Sequence, residues 1–374
     1  MRILYISKSI IPSRSANSIH VMKMCQAFSD NGHQVVLLAP NIKNKFEKNV
    51  KDIHEFYGVK KNFKLKRLWH PNSKLGAIFY TIGIFFYLFI SKNFHLVYGR
   101  FLHGCFIATL FKNKVIFEIH EIIFDKKNHV KLIFKLLIKS RKFKKLVVIS
   151  KALKQIYLKN DYLNKINIHV AHDGADEVDN FDLKVKLMGS NKKLKIGYLG
   201  HLYKGRGIET IIQCAKNLNE MTFHIVGGME SDIQYWKNYI KNIKINNLFF
   251  YGFKKPKETI KYLNSFDIFL APYEKKVSIL GNSDSDTSKF MSPLKIFEYM
   301  SHKKPLIVSD FPVIREILNK KNSILVKSDD IESWISAIKK LQRLKNREAL
   351  SHQALKDFFK YTWRNRALSV LKNH

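Results

Sequence analysis

Cysteine is scarce in this chain: Cys25, Cys105 and Cys214 are an odd number, at no metal-ligand spacing, and each lies within an apolar helical pattern. That argues against a disulfide framework or a zinc site and reads as buried thiols in a reducing compartment. Carboxylates are also few, with 30 Asp and Glu against 66 Lys and Arg, a formal net charge of +36. The excess is spread through nearly every segment, so it describes a whole surface drawn to anionic lipids or acidic substrates. Nucleic acid is the other polyanion, but no zinc-finger spacing, RNP-like aromatic motif or helix-turn-helix supports it. There is one strongly apolar run, LGAIFYTIGIFFYLFI at 75–90, diluted by Gly76, Thr81 and Gly83 and flanked by Lys74 and Lys92. It reads first as a buried core helix, with an interfacial helix and a membrane span as competing readings. The opening MRILYISKSI turns polar too soon for a secretory signal, so a cytoplasmic protein is expected.

Dinucleotide fingerprints are missing as well. No G-x-G-x-x-G follows the first strand-like run, no acidic residue closes the second, and Walker spacing is absent. These absences count against a nicotinamide or flavin enzyme and against a P-loop.

What is present is a repeated strand–helix pattern. RILYIS (2–7) and QVVLLAP (34–40) flank a helical stretch over 18–31, with Ile19, Met22, Cys25 and Phe28 on one face and Gly32 at its end. Continuously apolar strands of this kind are buried and parallel. The loop after the first strand offers Ser13, Ser15, Asn17 and Ser18, either as a ligand-facing loop or as an ordinary helix cap. HLVYGR (95–100), KVIFEIHE (114–121), KLVVIS (145–150) and NIHVAHDG (167–174) continue the series. His120 stands at a strand's C-terminal end beside Glu118 and Glu121, where a doubly wound sheet delivers side chains to its crevice.

A second series begins at KIGYLG (195–200). Gly200, Gly205 and Gly207 permit close backbone approach, and Lys204 and Arg206 place positive charge at a helix start, as a pyrophosphate cradle needs. TFHIVGG (222–228) brings Gly228 to a strand mouth, and LFFYGF and FDIFLAPY follow. The polar loop 274–292, containing GNSDSDTS, is long enough for an active-site lid. SKFMSPLKIFEYMSHKKPLIVSD (288–310) comes next. Ser292 is expected as N-cap and Pro293 as the first helical residue, with Lys295 and Glu298 neighbours on the surface. The amides near Leu294 and the lysine would hold a phosphate, and the carboxylate one turn on could reach sugar hydroxyls. A solvated Lys–Glu pair on an amphipathic helix is the plainer reading.

Two such halves resemble a GT-B glycosyltransferase, most closely the retaining glycosyltransferase family four. GYLGHLYKGRGIETII resembles that family's donor-diphosphate segment, with Arg206 in place of its usual lysine before glycine and His201 in place of an arginine. SPLKIFEYM resembles the signature around two glutamates eight apart: Glu298 matches the second, which binds ribose, and Phe290 replaces the first. SANSIHVMKMCQAF and FEIHE resemble the acceptor-side loop and strand-end histidine.

The resemblance implies two Rossmann-like doubly wound domains facing across a cleft, 1–173 on the acceptor side and 174–355 on the donor side. A C-terminal stretch, 356–374, would pack back on the first domain. It implies glycosyl transfer from a nucleotide-diphosphate sugar to a glycan or lipid-linked acceptor, with retention and no protein-bound metal. His120, Arg206 and Lys295 would be catalytic. Gly200, His201, Gly207, Gly228, Ser292, Pro293, Leu294 and Glu298 would complete the donor site, and Ser15 and Asn17 the acceptor loop. Asp284 and Asp286 have D-x-D spacing but lie in the presumed lid. The expected setting is bacterial surface polysaccharide or lipopolysaccharide synthesis, peripheral at the inner face of an anionic plasma membrane. A nucleotide-sugar epimerase on this fold, or a basic polyanion binder without catalysis, are the alternatives.

Overall fold

A computed structural model describes residues 1–91, 94–111, 113–189, 193–278 and 286–372. The chain forms two compact units, Met1–Asp173 with Trp363–His374, and Gly174–Thr362.

In the first unit, β1 (Arg2–Ile6), α1 (Ala16–Asp30), β2 (Gln34–Pro40), α2 (Ile53–Tyr57) and β3 (Lys64–Leu68) build outward in one direction. Then α3 (Gly76–Ile90) leads to β4 (Leu96–Gly99), α4 (Leu102–Leu110), β5 (Val115–Ile119), α5 (Asn128–Lys139), β6 (Phe143–Val148), α6 (Lys151–Leu158) and β7 (Ile168–Val170). The parallel sheet has the order β3-β2-β1-β4-β5-β6-β7. Its order reverses at β1 and β4, which puts a ligand-accepting crevice outside the carboxyl ends of those strands. β4 and β5 are wholly buried and β1 is buried from Ile3 onward, as strands apolar throughout except for Glu118 require. β3, KLKRL, is not legible from the sequence because it is an edge strand that keeps its lysines in water.

The second unit runs β8 (Lys195–Leu199), α7 (Ile208–Asn217), β9 (Thr222–Val226), α8 (Glu230–Asn242), β10 (Leu248–Phe250), α9 (Pro256–Ser265) and β11 (Ile268–Ala271). α10 (Leu294–Ser301), β12 (Leu306–Ser309), β13 (Ile324–Val326), α11 (Ile331–Lys340) and α12 (Leu344–Phe358) follow. Its parallel sheet is ordered β10-β9-β8-β11-β12-β13, reversing at β8 and β11. Ile196, Phe223, Ile268, Ile307 and Trp334 lie in one core beneath α7 and α11.

Two expectations are corrected. The return to the first unit begins at Trp363 rather than 356: α12 packs on α10, whereas the final helix, α13 (Trp363–Leu371), packs on α1. The run 75–90 is not a buried core helix either, since α3 buries Gly76, Tyr80, Ile84 and Leu88 along one stripe and leaves the rest outward. Among the described residues no helix is long and apolar enough to cross a membrane. Residues 279–285, the middle of the expected lid including Asp284, lie outside the described residues, as does Lys92.

Candidate functional site

Each unit carries a cluster of charged side chains at the carboxyl end of its sheet. In the first, β5 alternates so that Glu118 and His120, two residues apart, share a side of the strand. Glu118 is buried, and its Oε1 receives His120 Nε2 at 2.5 Å and Arg366 Nη2 at 2.8 Å. Tyr98 donates its hydroxyl to the other oxygen. The α13 guanidinium also donates to the carbonyls of His172 (2.8 Å) and Ala171 (3.1 Å), so its fork is taken up by acceptors. His20 of α1 meets Asp173 at 2.8 Å through Nδ1 and lies 3.1 Å from Glu118 through Nε2. Its ring stands edge-on to those of His120 and Trp363, with centroids 5.0 and 5.3 Å away.

These contacts set the charges. Burial works against an ionised Glu118, but Arg366, then His20 and His120, hold its carboxyl well below the usual range. Asp173, also opposed by burial, is held low by His20 first. His120 goes the other way: burial, then Arg100, lowers it to about 4, with Glu118 opposing. A neutral ring that gives its Nε2 proton to a carboxylate presents Nδ1 as an acceptor, suited to a hydroxyl. His20, His120 and Asp173 could each offer a ligand atom to one cation, within 4.8 Å of one another. The Arg366 guanidinium already supplies positive charge beside them, which weakens the fit for a metal.

Ser15 is the N-cap of α1, its oxygen accepting from Ser18 N at 3.2 Å and lying 2.9 Å from Ser13 Oγ. Its hydroxyl oxygen thus caps the helix start. Asn17, in the first turn, has a buried Oδ1 with no partner among the described residues.

In the second unit the glycine turn runs from the end of β8 into α7. Gly200 has φ +143°, and a Cβ there would come within 2.9 Å of Lys295 Nζ. Gly207, the N-cap of α7 at φ +73°, leaves no room for a side chain, since a Cβ would lie 1.6 Å from the Pro272 carbonyl oxygen. Its amide donates to Glu274 Oε1 at 3.2 Å, and Tyr198 OH closes the turn on the carbonyl of His201 at 2.7 Å. His201 stacks on Tyr203, and Gly228 sits at φ +84° beside Leu202.

Arg206 lies over the rings of Tyr203 (4.9 Å) and Tyr273 (5.9 Å) and donates to Tyr203 OH and the Ser278 carbonyl. Its Nε has no partner among the described residues. Lys295 is more exceptional. Its ammonium is buried 3.8 Å from the centroid of Tyr198 and 5.3 Å from that of Tyr273, with no hydrogen-bond acceptor among the described residues. Burial, then the Arg206 charge, pushes its pKa well down, with Glu298 opposing. Two cations thus share aromatic faces (Tyr273 belongs to both), an arrangement that an anion would relieve.

α10 starts one residue later than expected. Pro293 is the N-cap, at φ −75° and ψ 122°, and Leu294 is the first helical residue. Ser292 is buried just before it, and Leu294 and Lys295 carry the leading amides, which a helix cannot pair internally. Glu298 follows Lys295 by one turn, and Phe290 is buried where the resemblance places a glutamate. The structure therefore gathers Gly200, Arg206, Gly207 and Lys295 around Tyr198 and Tyr273, with Glu298 close enough to influence both Lys295 and Tyr273. It places His120, Ser15 and Asn17 in the other unit. The tyrosines, His20, Asp173 and Arg366 were not legible as site residues. Tyr273 at the end of FDIFLAPY was the nearest signal, a polar-tipped aromatic closing an apolar strand.

Comparison with known proteins agrees with both halves. Residues 193–343 match the family described as glycosyl transferases group 1, and residues 18–178 match glycosyltransferase family 4. The uncharacterized glycosyltransferase MJ1069 of Methanocaldococcus jannaschii is 25% identical over 382 residues, covering 95% of this chain and 93% of its own. Sucrose-phosphate synthase from Thermosynechococcus elongatus superposes with a TM-score of 0.73 at 13% identity, covering 98% of this chain and 96% of that one. Alr3699/HepE of Anabaena, solved with UDP-glucose, gives 0.71 at 13% identity, covering 99% and 98%.

Proposed function

We propose that this chain, a glycosyltransferase of the group 1 and family 4 type on a GT-B fold, moves a sugar from a nucleoside diphosphate sugar to a glycan or lipid-linked acceptor. The anomeric configuration is retained, and the setting is bacterial surface polysaccharide or lipopolysaccharide synthesis at an anionic membrane surface. The observation that carries the donor assignment is the buried Lys295 ammonium beside Arg206, without an acceptor among the described residues. A diphosphate is the ligand such a pair suits, and the uridine nucleotide held by Alr3699/HepE makes UDP the first to test.

As the bond from the anomeric carbon to the phosphate oxygen breaks, charge grows on the leaving diphosphate. Arg206, Lys295 and the leading α10 amides stabilise it. A bond from the acceptor oxygen forms on the same face, and the acceptor's hydroxyl proton passes to the departing phosphate oxygen. Glu298 holds the ribose, and the Nδ1 lone pair of His120 receives a hydroxyl of the transferred sugar or the acceptor. No metal is needed, because the leaving charge is met by side chains.

The test is calorimetric titration with UDP and UDP-glucose in the presence of a chelator. Arg206→Ala, Lys295→Ala and Glu298→Ala should each weaken binding by about tenfold or more, some 1.4 kcal/mol. Unaltered affinity in these variants would overturn the site, and binding that needs added magnesium would overturn the metal-free reading. Anomeric coupling in the product, read by NMR, decides retention.

A further inference from the structure

Two stripes of α3 lie on opposite sides of the helix. Gly76, Tyr80, Ile84 and Leu88 are buried, whereas Ile78, Ile82, Phe86 and Ile90, offset by two residues, point outward and are 55%, 44%, 57% and 78% exposed. An offset of two residues is about 200° around a helix. A helix apolar on both sides belongs in a core or in lipid, and the outer side of this one has no protein cover among the described residues. The surface continues sideways. α3 packs on α4, whose last residue Leu110 is exposed, and α4 packs on α5, which exposes Leu132 and Leu136.

The charge around this surface has one sign. Residues 56–117 and 126–160, which hold α3, α4 and α5, contain no Asp or Glu. Lys131, Lys135 and Lys139 recur every fourth residue on α5 and are exposed. On the edge strand β3, Lys66 sets its ammonium 5.2 Å over the ring of Tyr87 in α3. Fifteen residues of helix extend about 22 Å, too short to span a bilayer and sufficient to lie in its surface. Apolar insertion alone holds a protein weakly, and a basic rim supplies the second signal that stable attachment requires.

We propose that the α3–α5 face docks on an anionic phospholipid bilayer, with α3 lying in the plane of the interface. Ile82, Phe86 and Ile90 enter the acyl boundary while the α5 lysines meet lipid phosphates. This deepens the reading of a membrane-surface acceptor and rests on it for its purpose, although vesicle binding is measured without any transfer.

The experiment is flotation of the full chain with phosphatidylcholine vesicles, with and without phosphatidylglycerol. UDP titration and thermal unfolding serve as controls for folding. The wild type should float with the phosphatidylglycerol vesicles and little with pure phosphatidylcholine. Ile82→Ser/Phe86→Ser/Ile90→Ser should lower partitioning by at least about tenfold, and Lys131→Glu/Lys135→Glu should reduce it at low salt. Equal flotation of the wild type and the triple serine variant would overturn the proposal. So would a wild type that does not float but forms a dimer, by light scattering, which the triple variant dissolves. If the wild type floats yet binds no nucleotide, the donor reading fails and the docking surface stands.

Discussion

Glu118 in the first unit and Lys295 in the second are both withdrawn from water, and their surroundings are opposites. Glu118 is met by a guanidinium, a tyrosine hydroxyl and two imidazoles. Lys295 is met by aromatic faces and a second cation, with only the weaker pull of Glu298 against them and no hydrogen-bond acceptor among the described residues. A compensated buried charge is part of how the unit is held together, whereas an uncompensated one is a cost borne by the unliganded fold. The first cluster is complete in itself and holds His120, and the second is the one that the proposed donor diphosphate would complete.

Breaking the compensated cluster should give the largest effect. Arg366→Met leaves Glu118 and Asp173 without their guanidinium, and removing one partner of a buried pair typically costs about 3–5 kcal/mol. Urea unfolding should register that loss. Because Glu118 is held low in the fold, its contribution is complete above the unfolded glutamate range, near pH 4.3, and fades as pH falls toward the depressed folded value. Arg366→Met should therefore flatten the acid limb of the stability profile.

Lys295→Met sharpens the contrast by doing the reverse. It removes a desolvated ammonium, so unliganded stability at neutral pH should hold or rise by about 1 kcal/mol, while UDP binding is lost. The sign of the pH effect follows from the lowered pKa. An unfolded lysine keeps its proton to about pH 10.4, and folded Lys295 releases it earlier. Between the two values the unfolded chain binds more protons, so the stability contribution of this group rises with pH, and the variant should lose that rise. UDP affinity of the wild type should decline across the same window, since the anion recruits the charged form. Constant affinity throughout would contradict it.

The smallest effect tests the acceptor loop. Ser15→Ala removes the α1 cap and should cost about 1 kcal/mol of stability with nucleotide affinity unchanged. An equally stable variant with impaired transfer would assign Ser15 to the acceptor site instead.

What could be read from the sequence was local. The glycine turn at 200–207, His120 at a strand end and the one-turn spacing of Lys295 and Glu298 each fit within a few residues, so pattern and chemistry appear together. The start of α10 was misplaced because Ser292 and Pro293 have cap-like side chains, while Pro293 itself adopts extended dihedrals. What escaped was assembled over distance. Arg366 reaches Glu118 across 248 positions and His20 reaches Asp173 across 153, and nothing in a linear pattern marks either pair. The tyrosines over Lys295 were hidden for another reason: in apolar strands an aromatic residue looks like core until its partner is seen.

Arg366 also imposes an order of events during synthesis. Every strand of the first sheet has been made by residue 170, but the guanidinium that Glu118 depends on follows the whole second unit. Domains generally fold as they emerge. Until Arg366 is made, the nascent first unit has only Tyr98, His20 and His120 to meet Glu118, so its centre is complete only after the second unit has been translated.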